Sequence, residues 1–97
     1  MKDILIAVYE RKDNYRGYSK INHYHMVTEL RVYVCDCTEE RNMGILVNGK
    51  TCPDTYDVVE YNYKCEVIYR HHFVDSNKAN SCVKAIITNI GGFKRIQ

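Results

Sequence analysis

Period-two alternation over residues 26–36 constrains this chain more than any other feature. Met26, Leu30, Val32 and Val34 are apolar at even positions, while Glu29 and Arg31 lie between them. Successive side chains of a strand point to opposite faces, so the spacing predicts a half-buried strand with one face on a core. A single strand cannot bury that face alone, and partner strands must come from the rest of the chain.

Three further segments qualify as partners. Residues 3–10, Asp-Ile-Leu-Ile-Ala-Val-Tyr-Glu, form an almost continuous apolar run of strand length, which predicts a central strand covered on both faces. After a charged break at Thr38 to Asn42, Ile45-Leu46-Val47 runs into Asn48-Gly49, a two-residue hairpin signal because both residues tolerate positive φ. Pro53 limits the returning arm. Residues 56–70 alternate again, with Val59, Tyr61, Tyr63, Cys65, Val67 and Tyr69 on one face and Glu60, Asn62, Lys64, Glu66 and Arg70 on the other. This favours one long strand with a bend or bulge, its tyrosines forming a buried or half-buried face. A helix is the alternative, because Glu60 with Lys64 and Glu66 with Arg70 are also i,i+4 pairs.

The last element reads as a helix. Asp75 or Ser76 caps it, Ala79, Cys82, Val83, Ile86 and Ile90 recur at helical spacing, and Gly91-Gly92 ends it. The β-branched Val83, Ile86, Ile87 and Thr88 leave a strand open for its second half. The expected fold is α+β: a single small domain over 1–97, mainly an antiparallel sheet of about four or five strands with one C-terminal helix packed on it. A chain of 97 residues supports one hydrophobic core, and 27% charged residues with one Pro and five Gly predict an ordered chain. No internal repeat or low-complexity tract interrupts it.

Several function classes are disfavoured by the same residues. No stretch approaches the roughly 18 to 20 apolar residues of a membrane span, and the first residues turn polar too early for a signal peptide, so no membrane partner is expected. Cys35, Cys37, Cys52, Cys65 and Cys82 follow no disulfide-scaffold or zinc spacing, which predicts reduced thiols and a cytoplasmic protein. Ordinary core cysteine is the leading reading, although Cys35 and Cys37 with Cys52, His71 or His72 would supply a four-ligand zinc set. A net charge of +2 and a pI near 8.3 fall short of the pI above about 9 that marks a nucleic-acid-binding domain. The Tyr-, Ile-, Asn- and Lys-rich, Ala-poor composition is what an AT-rich coding sequence favours, as in low-GC bacteria and their phages.

Arg11 to Asn22 is polar and basic and is expected as an exposed loop or distorted hairpin, and the segment Tyr9 to Tyr24 that contains it is the best interaction candidate. There Tyr15, Tyr18 and Tyr24 interleave with Arg11, Lys12, Arg16 and Lys20, combining stacking faces with positive charge. A solvated basic loop with its rings packed on the sheet edge is the competing reading.

His23-Tyr24-His25 would direct both imidazoles to one side of a strand, and Tyr61-Asn62-Tyr63-Lys64 follows as a Tyr-x-x-Lys pattern. The pair resembles motifs of the HUH endonucleases. That resemblance implies His23 and His25 as ligands of a divalent metal, Tyr61 as the nucleophile on a DNA phosphodiester and Lys64 as its positioning partner. Read as plain residues, the histidines are a partly exposed pair at the start of a strand.

No complete catalytic set, metal site or cofactor motif is expected. The preferred function is a small non-enzymatic binding protein, phage- or mobile-element-encoded, that inhibits a host protein or nucleoprotein complex by occluding its surface, in the manner of an anti-CRISPR inhibitor. A single-stranded DNA endonuclease and a direct nucleic-acid binder are the alternatives.

Overall fold

The alternating segment becomes the middle of a five-stranded antiparallel sheet in the computed structural model, which describes residues 2–11, 26–47 and 49–97. Strand β1 spans Lys2–Arg11, β2 Glu29–Asp36, β5 Thr55–Tyr61, β6 Val67–Phe73 and β7 Phe93–Arg95, in the spatial order β6-β5-β2-β1-β7. Between β2 and β5 lie a short helix α1, Thr38–Asn42, and a two-stranded ribbon of β3, Leu46–Val47, and β4, Lys50–Thr51. Helix α2, Ser76–Ile90, follows β6 at one edge and leads to β7 at the other. This is the expected α+β architecture.

Sheet register sorts the side chains into two faces. On the first, Phe73, Tyr56, Val34 and Ile4 form one cross-strand row, and His71, Val58, Val32 and Ala7 the next. Ala7, Val32 and Val58 meet Ala79 and Val83 of α2, and Tyr56, Phe73, Cys82, Ile86 and Ile87 surround them. The Ala79–Val83 stripe is the one the helical spacing predicts, and it faces β5 and β6 because an apolar stripe is stable only against an apolar surface. Both helix ends are capped as the sequence implies. Asp75 Oδ1 accepts from the Asn77 backbone N–H at 2.8 Å, and Gly91 closes the helix at φ +77°, where a side chain would be strained.

Strand β1 is interior, yet the middle place belongs to β2. Its predicted burial on both faces holds for Ala7 and Val8 and fails at Ile4 and Ile6, which are exposed. The register skips Ile6 as a bulge between Leu5 and Ala7, and β7 covers only Tyr9 to Arg11.

Residues 56–70 are a hairpin and not one bent strand. Asn62 is buried, and its Oδ1 accepts from the backbone N–H groups of Lys64 at 2.9 Å and Glu66 at 3.0 Å. The Asn62 N–H donates to the Glu66 carbonyl at 3.0 Å, and Cys65 takes φ +60° to bring the chain round. Of the tyrosines expected on one face, Tyr61 is 8% exposed on β5, Tyr63 lies in the turn and Tyr69 is 57% exposed on edge strand β6.

The β3–β4 pairing of Leu46 with Thr51 and Val47 with Lys50 matches the predicted two-residue hairpin, with Gly49 at φ +75°. Asn48 lies outside the described residues. The charged break carries α1, and together they form an arm whose base is clamped. Arg41 donates to the Cys52 carbonyl and to Asp54 Oδ1, both at 2.9 Å, while Asp54 Oδ1 also accepts from the Cys37 N–H at 3.0 Å.

Candidate functional site

On the second face the cross-strand rows read His72–Asp57–Tyr33–Leu5, then Arg70–Val59–Arg31–Val8, then Tyr61–Glu29–Glu10. Among the described residues no helix packs on this face. Val59 is nonetheless 0% exposed, and its row neighbours Arg31 and Arg70 are long enough to lay their stems beside it while their charged heads reach water.

The charges on this face are ordered and paired. Arg31 donates to Glu29 Oε2 at 3.0 Å and places its guanidinium 4.7 Å from the centre of the Tyr61 ring, within cation–π range. Hydrogen bonds with the Tyr33 and Glu29 side chains hold the Arg31 guanidinium above its already high ordinary value. Arg70 donates to Asp57 Oδ2 at 2.7 Å, and His72 Nδ1 lies 2.6 Å from Asp57 Oδ1. Burial pushes the Asp57 carboxyl up, but its hydrogen bonds with His72 and Arg70 outweigh that and leave it below the usual range. The Tyr33 and Tyr61 hydroxyls stand 3.4 Å apart, and burial followed by this contact pushes the Tyr61 phenol up.

At one end the face opens into a groove of about 430 Å³. Glu10 and Arg11 come to it from β1, Thr28, Glu29 and Arg31 from the entry to β2, and Asn62, Tyr63 and Cys65 from the β5–β6 turn. The Arg11 side chain runs against Gly92, where an added Cβ would stand 3.4 Å from Arg11 Cγ. The Arg11 N–H donates to the Thr28 carbonyl at 2.8 Å, and Met26, Val27 and Thr28 are buried. The chain therefore leaves the sheet at Arg11 and returns to it from Met26 at the same end, beside the groove.

Of the predicted binding residues, Arg11 lines this groove. Lys12, Tyr15, Arg16, Tyr18, Lys20 and Tyr24 lie outside the described residues, as do His23 and His25 and the loop or hairpin expected there. Tyr61 and Lys64, the other half of the endonuclease resemblance, fall on the end of a strand and in a turn.

Among the described residues no three His, Cys, Asp or Glu side chains converge as metal ligands. His71 and His72 are engaged separately, His71 Nε2 lying 2.5 Å from Glu60 Oε2 on the helix face and His72 bonding Asp57 on the other. No helix among the described residues is long and apolar enough to cross a membrane.

Arg31, Tyr33, Asp57, Arg70 and His72 were not among the predicted site residues. The odd positions of β2, polar against an apolar even face, carried the signal for Arg31 and Tyr33; Arg70 stood in the alternation on the face opposite Val59, His72 entered only as a candidate for the zinc set, and Asp57 carried no signal. Comparison with protein-family models, curated protein sequences and solved structures yields no match.

Proposed function

We propose that this chain is a non-enzymatic binding module that acts by covering a surface of a protein or nucleoprotein partner, using the second sheet face and its groove. One observation carries the reading. Arg31, Tyr33, Tyr61 and Arg70, drawn from three strands, form a pre-ordered cation–aromatic surface contiguous with the groove that Arg11 lines. Arg and Tyr offer large contact area, and side chains already held on rigid strands lose little further freedom on binding.

The charge state favours a protein over bare nucleic acid. Arg31 and Arg70 are paired with Glu29 and Asp57, whereas phosphate binding draws its strength from cations that displace counterions. At the finer level, the small size and the AT-rich residue usage support an inhibitor carried by a phage or mobile element and directed at a host complex of the anti-CRISPR-target kind.

The test is affinity capture from the native host with mass spectrometry for protein and nucleic acid, run beside Arg31→Ala and Arg70→Ala chains shown to be folded. A protein partner captured by the unchanged chain and lost in both variants supports the reading. Capture unaffected by both variants, no capture, or a covalent adduct with single-stranded DNA in manganese that disappears in Tyr61→Phe refutes it.

A further inference from the structure

The two edges of the five-stranded sheet are not equally closed. On the β1 side, β7 pairs with Tyr9 to Arg11, the Val8 N–H donates to the Gln97 carbonyl at 3.0 Å, and the Ile96 N–H donates to the Val8 carbonyl at 2.9 Å. Beyond that cover the register breaks at Ile6. A short terminal strand and a bulge both keep an edge from pairing further. Strand β6 ends the other side. It pairs with β5 in one register from Phe73 opposite Tyr56 to Tyr69 opposite Glu60, and among the described residues no strand lies on its outer side. Alternate N–H and C=O groups of Tyr69 to Phe73 turn away from β5, and an extended main chain matches their spacing.

The side chains of Tyr69-Arg70-His71-His72-Phe73 leave this edge without the devices that repel a second strand. The run contains no Lys, Pro, Asp or Glu. Its one permanent charge is met within the chain, since Arg70 donates to Asp57 Oδ2 at 2.7 Å. His72 is held by the same carboxylate and His71 by Glu60. Tyr69, His71 and Phe73 form an aromatic row on the helix face, with the Tyr69 and His71 rings 4.4 Å apart and the His71 and Phe73 rings stacked at 6.4 Å. The run also reads nearly the same in both directions: an aromatic ring at each end, a nitrogen base next to it, and His71 at the centre.

We propose that a second copy of this chain pairs antiparallel with β6 about a two-fold axis through His71, joining the two sheets edge to edge. A two-fold interface sets the same strand against itself, so a run that reads alike in both directions presents matched partners at every row. Tyr69 then faces Phe73 of the second copy, Arg70 faces its His72 with an Asp57 on each side, and His71 faces His71. Moving the axis to Tyr69 carries the pairing into the register shift between Tyr69 and Val67, and moving it to Phe73 carries it into Asp75 and the start of α2. The axis stands perpendicular to the sheet, so each residue keeps its face and the Arg31, Tyr61 and Arg70 surfaces of the two copies point the same way. An interface of five residues on each side is small, so association is weak and depends on concentration.

The experiment takes the untagged full-length chain in dithiothreitol, which excludes cysteine cross-links, through sedimentation velocity from about 1 μM to about 1 mM. Amide exchange is measured at both ends of that range. The expected result is a shift from monomer to dimer, with exchange at high concentration slowed at the outward-facing amides of Tyr69 to Phe73. Tyr69 is 57% exposed, so Tyr69→Lys leaves the core untouched and puts a charge opposite each Phe73. It should weaken association by about tenfold, with circular dichroism checking the fold. Ile6→Lys, at a 44% exposed position on the β1 side, should keep the dimer. A monomer at every concentration, a dimer of unchanged strength in Tyr69→Lys, loss of the dimer in Ile6→Lys, or protection that arises outside β6 overturns the proposal. The exchange pattern of the unchanged chain decides the matter should Tyr69→Lys not fold.

Discussion

Replacing Asn62 by Ala removes the acceptor that divides residues 56–70 into two strands. In the native turn Asn62 Oδ1 accepts from Lys64 N–H at 2.9 Å and Glu66 N–H at 3.0 Å. A hydrogen bond contributes about 0.5–1.5 kcal/mol net, so losing two costs about 1–3 kcal/mol, with the lower part of the range favoured because Lys64 and Glu66 are exposed and water can replace the lost acceptor. For a domain of this length that lowers Tm by roughly 5–20 °C. Urea unfolding followed by circular dichroism measures it, with Asn62→Asp as the companion because a carboxylate keeps an acceptor at the same place, run in high salt to screen its repulsion from Glu66 Oε1, to which Asn62 Nδ2 donates at 3.5 Å. Asn62→Asp should lose less than Asn62→Ala, and amide exchange at Lys64 and Glu66 should quicken only in Asn62→Ala. If Asn62→Ala unfolds within about 0.5 kcal/mol of the unchanged chain, the turn is not held by this side chain.

Three other outcomes follow from the same geometry. Val58→Ala deletes two methyl-sized groups from a site that is 0% exposed beneath Ala79 and Val83 and should destabilise by about 2–3 kcal/mol in denaturant titration. Asp75→Ala removes the α2 cap and should cost about 1 kcal/mol, whereas Asp75→Asn should retain most of it; thermal melts of the two variants separate them. Asp57 has a depressed carboxyl when folded, so its stabilising effect is fully present above the unfolded value of about 3.9 and is lost as pH falls through the lower folded value. Unfolding free energy measured downward from pH 6 should therefore decline most below about pH 4, and Asp57→Asn should flatten that part of the curve. A decline of equal steepness in Asp57→Asn would rule out this carboxylate as its source.

Legibility in the sequence followed the range of the interaction. The α2 caps, the Ala79–Val83 stripe, the β2 alternation and the Asn48-Gly49 hairpin each depend on residues a few positions apart, so periodicity and turn chemistry suffice. The β5–β6 turn was not legible because Tyr61, Tyr63, Cys65 and Val67 sustain the alternation straight through it. What ends the strand is an Asn62 side chain folded onto Lys64 and Glu66, together with Cys65 at φ +60°, a conformation that no cysteine announces.

The candidate site lay further from reach. Its polar members on β2 were visible as the odd positions between apolar ones, yet nothing in the order of residues brings Arg31 over Tyr61 or Tyr33 to the same hydroxyl. Those contacts span 28 to 30 positions and exist because β2 and β5 pair in one register, Glu29 with Tyr61 and Arg31 with Val59. A slip of one residue would turn each of these side chains to the opposite face.

The sequence by itself determined a small α+β domain with an antiparallel sheet, a capped C-terminal helix and an Asn-Gly hairpin, because period and capping are properties of neighbouring residues. Only the tertiary structure decided that Arg31, Tyr61 and Arg70 share one face and that Asp54 ties Arg41 to the Cys37 backbone, because strand register and chain return bring distant residues together at positions no local pattern encodes.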